Sequence, residues 1–147
     1  MSTLTRLLFA IALLAGCSVP TTTAEIDHRG GATRVQLRRI ERFITSREVV
    51  VPITDCVFVA IEEGEEQGEI WRITALVPGS DAEEVRYGSV PGGFAQVTPT
   101  VGSPPPLVPG RSYRVECSGA TSALGGSTDF RIPDKSNRRT RHDPEGD

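Results

Sequence analysis

From Leu7 to Ala15 every residue is apolar, and Arg6 is the only charge before position 17. One cation followed by 9 apolar residues has the form of a secretory signal, with a short n-region and an h-region. A helix that crosses a bilayer needs about 20 apolar residues, so the segment is too short for a span. Beyond position 32 the pattern changes to short alternating runs. In Ser112-Tyr113-Arg114-Val115-Glu116-Cys117, Tyr113, Val115 and Cys117 share one face. Cys117 is therefore expected to point into a core. Trp71, Ile73 and Ala75 alternate against Arg72 and Thr74, and Asp129-Phe130-Arg131-Ile132 alternates likewise. Val49 to Ile61 is almost continuously apolar, so Cys56–Ile61 reads as a central strand buried on both faces. Pro52 cannot donate to a ladder, and the strand should start after it.

Breakers separate these runs: Pro78-Gly79, Pro91-Gly92-Gly93, Pro104-Pro105-Pro106, Pro109-Gly110 and Gly125-Gly126. Short strands between such signals predict an all-β sandwich or barrel over residues 33–133. About seven strands fit: 34–44, 54–61, 69–76, 83–90, 94–99, 112–118 and 128–133. Residues 34–44 carry two patterns. Leu37, Ile40 and Ile44 have helical spacing, whereas Val35 and Leu37 have strand spacing. The strand reading is preferred, as an edge strand turning Arg38, Arg39 and Arg42 outward, because charged edges discourage aggregation. Residues 17–32 are polar, β-branched and glycine-bearing, and read as a flexible tether with a reach of about 20 Å. Residues 134–147 are highly charged and contain no aliphatic side chain, so they read as a disordered tail. The Arg138-Arg139-Thr140-Arg141 cluster in that tail reads as a solvated charge run.

Leu14-Ala15-Gly16-Cys17 resembles the lipobox of bacterial lipoproteins. That resemblance implies a diacylglycerol on the Cys17 sulfur, cleavage between Gly16 and Cys17, and a signal peptide of residues 1–16. It also implies the membrane as a partner through the lipid anchor, with an envelope protein as the further candidate. A single acyl chain binds a membrane reversibly, whereas two or three hold it durably. Ser18, in place of the Asp that favours inner-membrane retention in such proteins, implies sorting to the outer membrane on its periplasmic side.

Composition narrows the rest. Loss of Arg6 with the signal takes the formal charge from −3 to −4, and a mildly acidic domain argues against a nucleic-acid surface. Aromatic residues make up only 5% of the chain, so the core must rest on Val, Ile and Leu. With Cys17 assigned to lipid, Cys56 and Cys117 remain. In an oxidising compartment an even remainder reads as one disulfide, the alternative being two separate buried thiols.

Leu107-Val108-Pro109-Gly110-Arg111-Ser112-Tyr113-Arg114-Val115 resembles the fibronectin type III pattern L-x-P-x-T-x-Y-x-V, with Ser112 one place from the family threonine. The resemblance implies a tyrosine corner, in which the Tyr113 hydroxyl bonds to backbone upstream and Leu107 packs beneath. Cys56, Trp71 and Cys117 follow the Cys…Trp…Cys order of immunoglobulin domains, but Tyr113 and Cys117 are four apart where that family has two. Ile70-Trp71-Arg72-Ile73 followed by Tyr87-Gly88-Ser89-Val90-Pro91-Gly92-Gly93-Phe94 resembles exported lipoproteins, and no activity comes with that likeness.

His28 and His142 are the only histidines, and both fall in the expected flexible ends. No nucleophile elbow, zinc motif, P-loop or Cys-x-x-Cys is present, so no catalytic residue, metal or cofactor is assigned beyond lipid on Cys17. The acidic run Glu62-Glu63-Gly64-Glu65-Glu66-Gln67-Gly68-Glu69 has oxygen donors for Ca²⁺ but lacks the Asp/Asn ladder of a calcium loop. An acidic hairpin tip explains it. Phe94, after Pro91-Gly92-Gly93, is either a partner contact or a core residue that opens a strand, and core is the commoner case. The expectation is a non-enzymatic, lipid-anchored interaction or structural module of the envelope. The alternative is a small-ligand or glycan binder, for which Trp71, Tyr87 and Tyr113 are the only Trp and Tyr residues.

Overall fold

A computed structural model describes residues 21–29, 31–42 and 46–134. These residues form a two-sheet antiparallel β-sandwich. The strands are β1 (Thr21–Arg29), β2 (Ala32–Arg42), β3 (Ser46–Val51), β4 (Asp55–Glu62), β5 (Glu65–Ala75), β6 (Val85–Arg86), β7 (Phe94–Thr98), β8 (Ser112–Ser118) and β9 (Gly126–Arg131). In one sheet β2 lies between β1 on one side and both β3 and β6 on the other. The other sheet runs β7-β5-β4-β8-β9.

Alternation decides which side chains meet between the sheets. Val35 and Leu37 of β2 face Cys56 and Phe58 of β4, Trp71 and Ile73 of β5, and Val115 and Cys117 of β8 within one buried cluster. Ile53, between β3 and β4, is also wholly buried and bridges Ala82. Burying a side chain of this size contributes about 1.5–3 kcal/mol, which makes the cluster the main source of stability. The sandwich closes along one side where β1 crosses β9. A Cβ on Gly126 would stand 2.9 Å from the Ala24 nitrogen, so glycine is what lets β1 approach. The Thr128 hydroxyl donates to the Ala24 carbonyl at the same crossing.

Several expectations need correction. Among the described residues the sandwich has nine strands, where about seven were expected. Residues 83–90 form a strand only at Val85–Arg86. Residues 34–44 do supply a strand, but β2 is interior, paired on both sides, and not an edge. Its arginines do not all face outward: Arg38 lies on the outer face, whereas Arg39 shares the side of Leu37. The stretch read as tether contains β1, which pairs with β2 from Thr21↔Ile40 to Arg29↔Ala32. β4 is central, yet Val57 lines a surface groove, so the strand is not buried on both faces throughout. The segment read as a signal, with Gly16 and Cys17, and the tail from Lys135 lie outside the described residues.

Candidate functional site

The outer face of the five-stranded sheet is built by the residues that alternate away from the core. Arg72 of β5 holds Asp55 of β4 through Nε at 3.4 Å and Glu69 of its own strand at 3.5 Å. Arg114 of β8 holds Asp129 of β9 at 2.6 Å and also pairs with Glu66 of the β4–β5 hairpin. The hydrogen bond from Arg114 holds the Asp129 carboxyl below its ordinary range, and Asp129 in turn raises the Arg114 guanidinium. Both groups are exposed, so the pairs chiefly fix positions and contribute little stability. Beside Arg72 lies an open groove of about 620 Å³ lined by Asp55, Val57, Glu69, Arg72, Glu116 and Ser127. This face presents arranged charge of both signs, suited to a polar macromolecular partner.

The proline-rich connection from β7 to β8 crosses one end of the sandwich and is pinned by three side chains. Gln96 of β7 accepts from Trp71 Nε1 at 3.0 Å and donates to the carbonyls of Pro99 at 2.6 Å and Gly102 at 2.8 Å. The Tyr87 hydroxyl donates to the Pro105 carbonyl at 2.7 Å. The Tyr113 hydroxyl accepts from the Val108 amide at 2.8 Å. Beneath the connection Phe58 meets Trp71, Tyr87 and Phe130 with ring centres 5.5, 4.9 and 6.1 Å away. Burial in this cluster, and secondarily Tyr113, raises the Tyr87 phenol well above its ordinary range. Tyr87 is thus a neutral donor at any physiological pH.

Cys56 and Cys117 form a disulfide with Cα atoms 4.1 Å apart. They are directly opposed on β4 and β8, so the bond joins neighbours within one sheet rather than bridging the sandwich. That differs from the inter-sheet immunoglobulin bond, and Trp71 lies on the strand beside β4 in the same sheet. Tyr113 is buried, while Leu107 is only half-buried and stands outside the core cluster. Phe94 is 6% exposed and belongs to the core, which removes it as a partner contact.

The acidic run forms the β4–β5 hairpin, with Glu63 at φ 53° and Gly64 at φ 86°, both left-handed as a two-residue type I′ turn requires. Among the described residues no cluster of three or more His, Cys, Asp or Glu is arranged for a metal ion. His28 is not in a flexible end. It sits on β1, with Nδ1 3.1 Å from the Thr33 hydroxyl and its ring 5.4 Å from Phe130. Burial lowers its pKa, and the nearby Asp27 only partly offsets this. His142 lies outside the described residues. Gln96 and the strand-crossing arginines carried no sequence signal, because an isolated Gln or Arg in an alternating run reads only as a polar face.

No protein-family model, no curated protein and no solved structure matches this chain.

Proposed function

We propose that the chain is a lipoprotein of the bacterial cell envelope, cut before Cys17, acylated there, and held as a non-catalytic interaction module on the periplasmic side of the outer membrane. The observation that carries this reading is Leu14-Ala15-Gly16-Cys17, placed directly behind the apolar run Leu7–Ala15. The disulfide fits an oxidising compartment outside the cytoplasm. The face offered to a partner is the outer surface of the five-stranded sheet, around Arg72 and Arg114. Its carboxylates Asp55, Glu69, Glu66 and Asp129 are engaged by those two guanidiniums, which suits recognition better than proton transfer.

Glycan binding is the weaker reading. It calls for aromatic rings open to a sugar face, yet Trp71 is fully buried, Tyr113 is 3% exposed, and the Tyr87 ring packs on Phe58. Metabolic labelling with an alkyne fatty acid tests the anchor. The wild-type chain takes up label and Cys17→Ser does not; an unlabelled wild-type chain with the mass of bare polypeptide overturns the reading. Crosslinking in intact cells tests the face. A partner captured by the wild type and lost in Arg72→Glu with Arg114→Glu supports it, and equal capture by both assigns recognition elsewhere.

A further inference from the structure

The anchor reading acquires a geometry from β1. Thr21 is opposite Ile40, and Ile40 is opposite Glu48, so the start of β1, the end of β2 and the start of β3 form one three-stranded ribbon. Leu37, opposite Ala24 and Val51, marks where this ribbon leaves the core: these three residues are buried, whereas Ile40 is 41% and Val50 is 38% exposed. Gly119, at the end of β8, lies against Val51 and Pro52, so the five-stranded sheet stops at the same level. From Leu37 to Arg42 the ribbon continues for about 17 Å at the usual rise per strand residue. The acidic β4–β5 hairpin is at the opposite end of the sandwich.

Cys17 stands four residues before Thr21. Four residues span at most about 14 Å when fully extended. The polar layer of a bilayer leaflet is about 5–7 Å thick, and an acylated cysteine sits at its inner boundary. Ile40, beside Thr21, is therefore held within reach of lipid headgroups whenever Cys17 is acylated. The surface there has the matching chemistry. Ile40 and Val50 both lie on the outer face, diagonally adjacent on β2 and β3. On the same face Arg38 pairs with Glu25 and Glu48, so the charge beside them is balanced. Exposed aliphatic side chains beside paired charges suit shallow immersion at the headgroup boundary, where the ion pairs stay hydrated.

We propose that the outer face of the β1–β2–β3 ribbon, centred on Ile40 and Val50, docks on the bilayer surface and holds the five-stranded sheet, with its acidic hairpin, on the side away from the membrane. This rests on the anchor reading above. It adds that the domain lies against the bilayer and does not swing freely above it.

The test uses the full lipidated protein, purified in detergent and reconstituted in phosphatidylethanolamine–phosphatidylglycerol vesicles that carry brominated acyl chains. The native Trp71 is fully buried in the core, far from lipid, and gives a constant background. Val50→Trp places a reporter on the ribbon, and Glu65→Trp places one at the opposite hairpin. The added emission of Val50→Trp should fall by roughly half in brominated vesicles, as expected for a side chain at the headgroup boundary, while that of Glu65→Trp stays unchanged. If Val50→Trp does not fold, Ile40→Trp reports the same face. Equal emission in brominated and ordinary vesicles for the ribbon reporter, in protein whose mass includes the lipid, overturns the docking and leaves the anchor standing. A mass showing bare Cys17 overturns both.

Discussion

The Trp71–Gln96 contact offers a measurable test of how the proline-rich connection is held. Trp71 Nε1 has no solvent access through its fully buried ring, and its acceptor is Gln96 Oε1 at 3.0 Å. The same amide donates to the carbonyls of Pro99 and Gly102. Gln96→Leu keeps the size of the side chain and removes all three bonds. A buried donor left without its acceptor costs about 1–3 kcal/mol. The two carbonyls lie at the surface, where water replaces much of the lost bonding, and add about 0.5–1 kcal/mol between them. The expected total is about 2–4 kcal/mol. For a domain of this size 1 kcal/mol corresponds to about 4 °C in Tm, so the variant should melt about 8–16 °C lower.

Stability alone does not identify the bond, and the pair must be cycled. Trp71→Phe removes the indole N–H together with part of the ring, leaving a cavity that costs about 2 kcal/mol. In that background Gln96 has no indole to satisfy, so Gln96→Leu should cost about 1 kcal/mol only. The difference is a coupling energy above about 1 kcal/mol, within the range of contacting buried groups. Urea unfolding of the four proteins, followed by near-ultraviolet circular dichroism, reads it directly. Additive costs, or a Gln96→Leu variant within about 0.5 kcal/mol of wild type, would refute the claim that this amide is the buried link between Trp71 and the connection.

Phe94→Ala should cost about 3 kcal/mol or more in thermal unfolding, since the ring is core; an unchanged melt would return it to the surface. Cys56→Ala with Cys117→Ala opens a loop of 61 residues and should cost about 4 kcal/mol in the chain-entropy treatment, against no loss if the bond is dispensable. Gly126→Val should destabilise the domain and expose β1 to protease, because the new Cβ meets the β1 backbone at 2.9 Å; wild-type resistance would mean β1 does not close on β9. Stability should fall on acidification. His28 and Asp129 both have folded pKa values below their ordinary ones, so each contributes above its unfolded pKa and loses that contribution as pH drops through the folded value. His28→Phe should flatten the profile below about pH 6.5 and Arg114→Gln the limb below about pH 4; profiles parallel to wild type would contradict both assignments.

The sheet that was easiest to read is the one with strict alternation across a buried face. Tyr113, Val115 and Cys117 set β8, and Trp71 and Ile73 set the buried half of β5. Period two survives there because every second residue meets the opposite sheet. The outer half of β5, Glu65 to Glu69, is wholly exposed and carries no apolar period, so it reads as loop until its pairing with β4 is seen. β6 misleads in the other direction. Glu83–Val90 alternates in part, yet the strand ladder with β2 spans Val85 and Arg86, the Tyr87 amide adds one bond to the Thr33 carbonyl, and the chain then turns so that the Tyr87 hydroxyl can reach Pro105. Side-chain bonds to a distant carbonyl leave no mark on local periodicity. The disulfide was legible as a pair of cysteines but not as a neighbouring pair. Sequence separation carries no information on whether two strands share a sheet.

β1 shows how a misread element changes a functional geometry. Thr21-Thr22-Thr23-Ala24-Glu25-Ile26 is polar, and of its inward positions only Ala24 is buried while Ile26 is half-buried. A strand that covers the rim of a sandwich needs few apolar residues, because its stability comes from pairing along β2 and from the close backbone approach at Gly126. The threonines are there for β-propensity and not for solvation. Read as a flexible tether, residues 17–32 would hold the sandwich about 20 Å from its anchor and leave its orientation free. With β1 inside the fold, only Ser18, Val19 and Pro20 separate Cys17 from the first strand. Under the proposed anchor at Cys17, so short a link would couple the orientation of the sandwich to the bilayer, and the sheet proposed to meet a partner would be presented at a fixed angle instead of by diffusion on a leash.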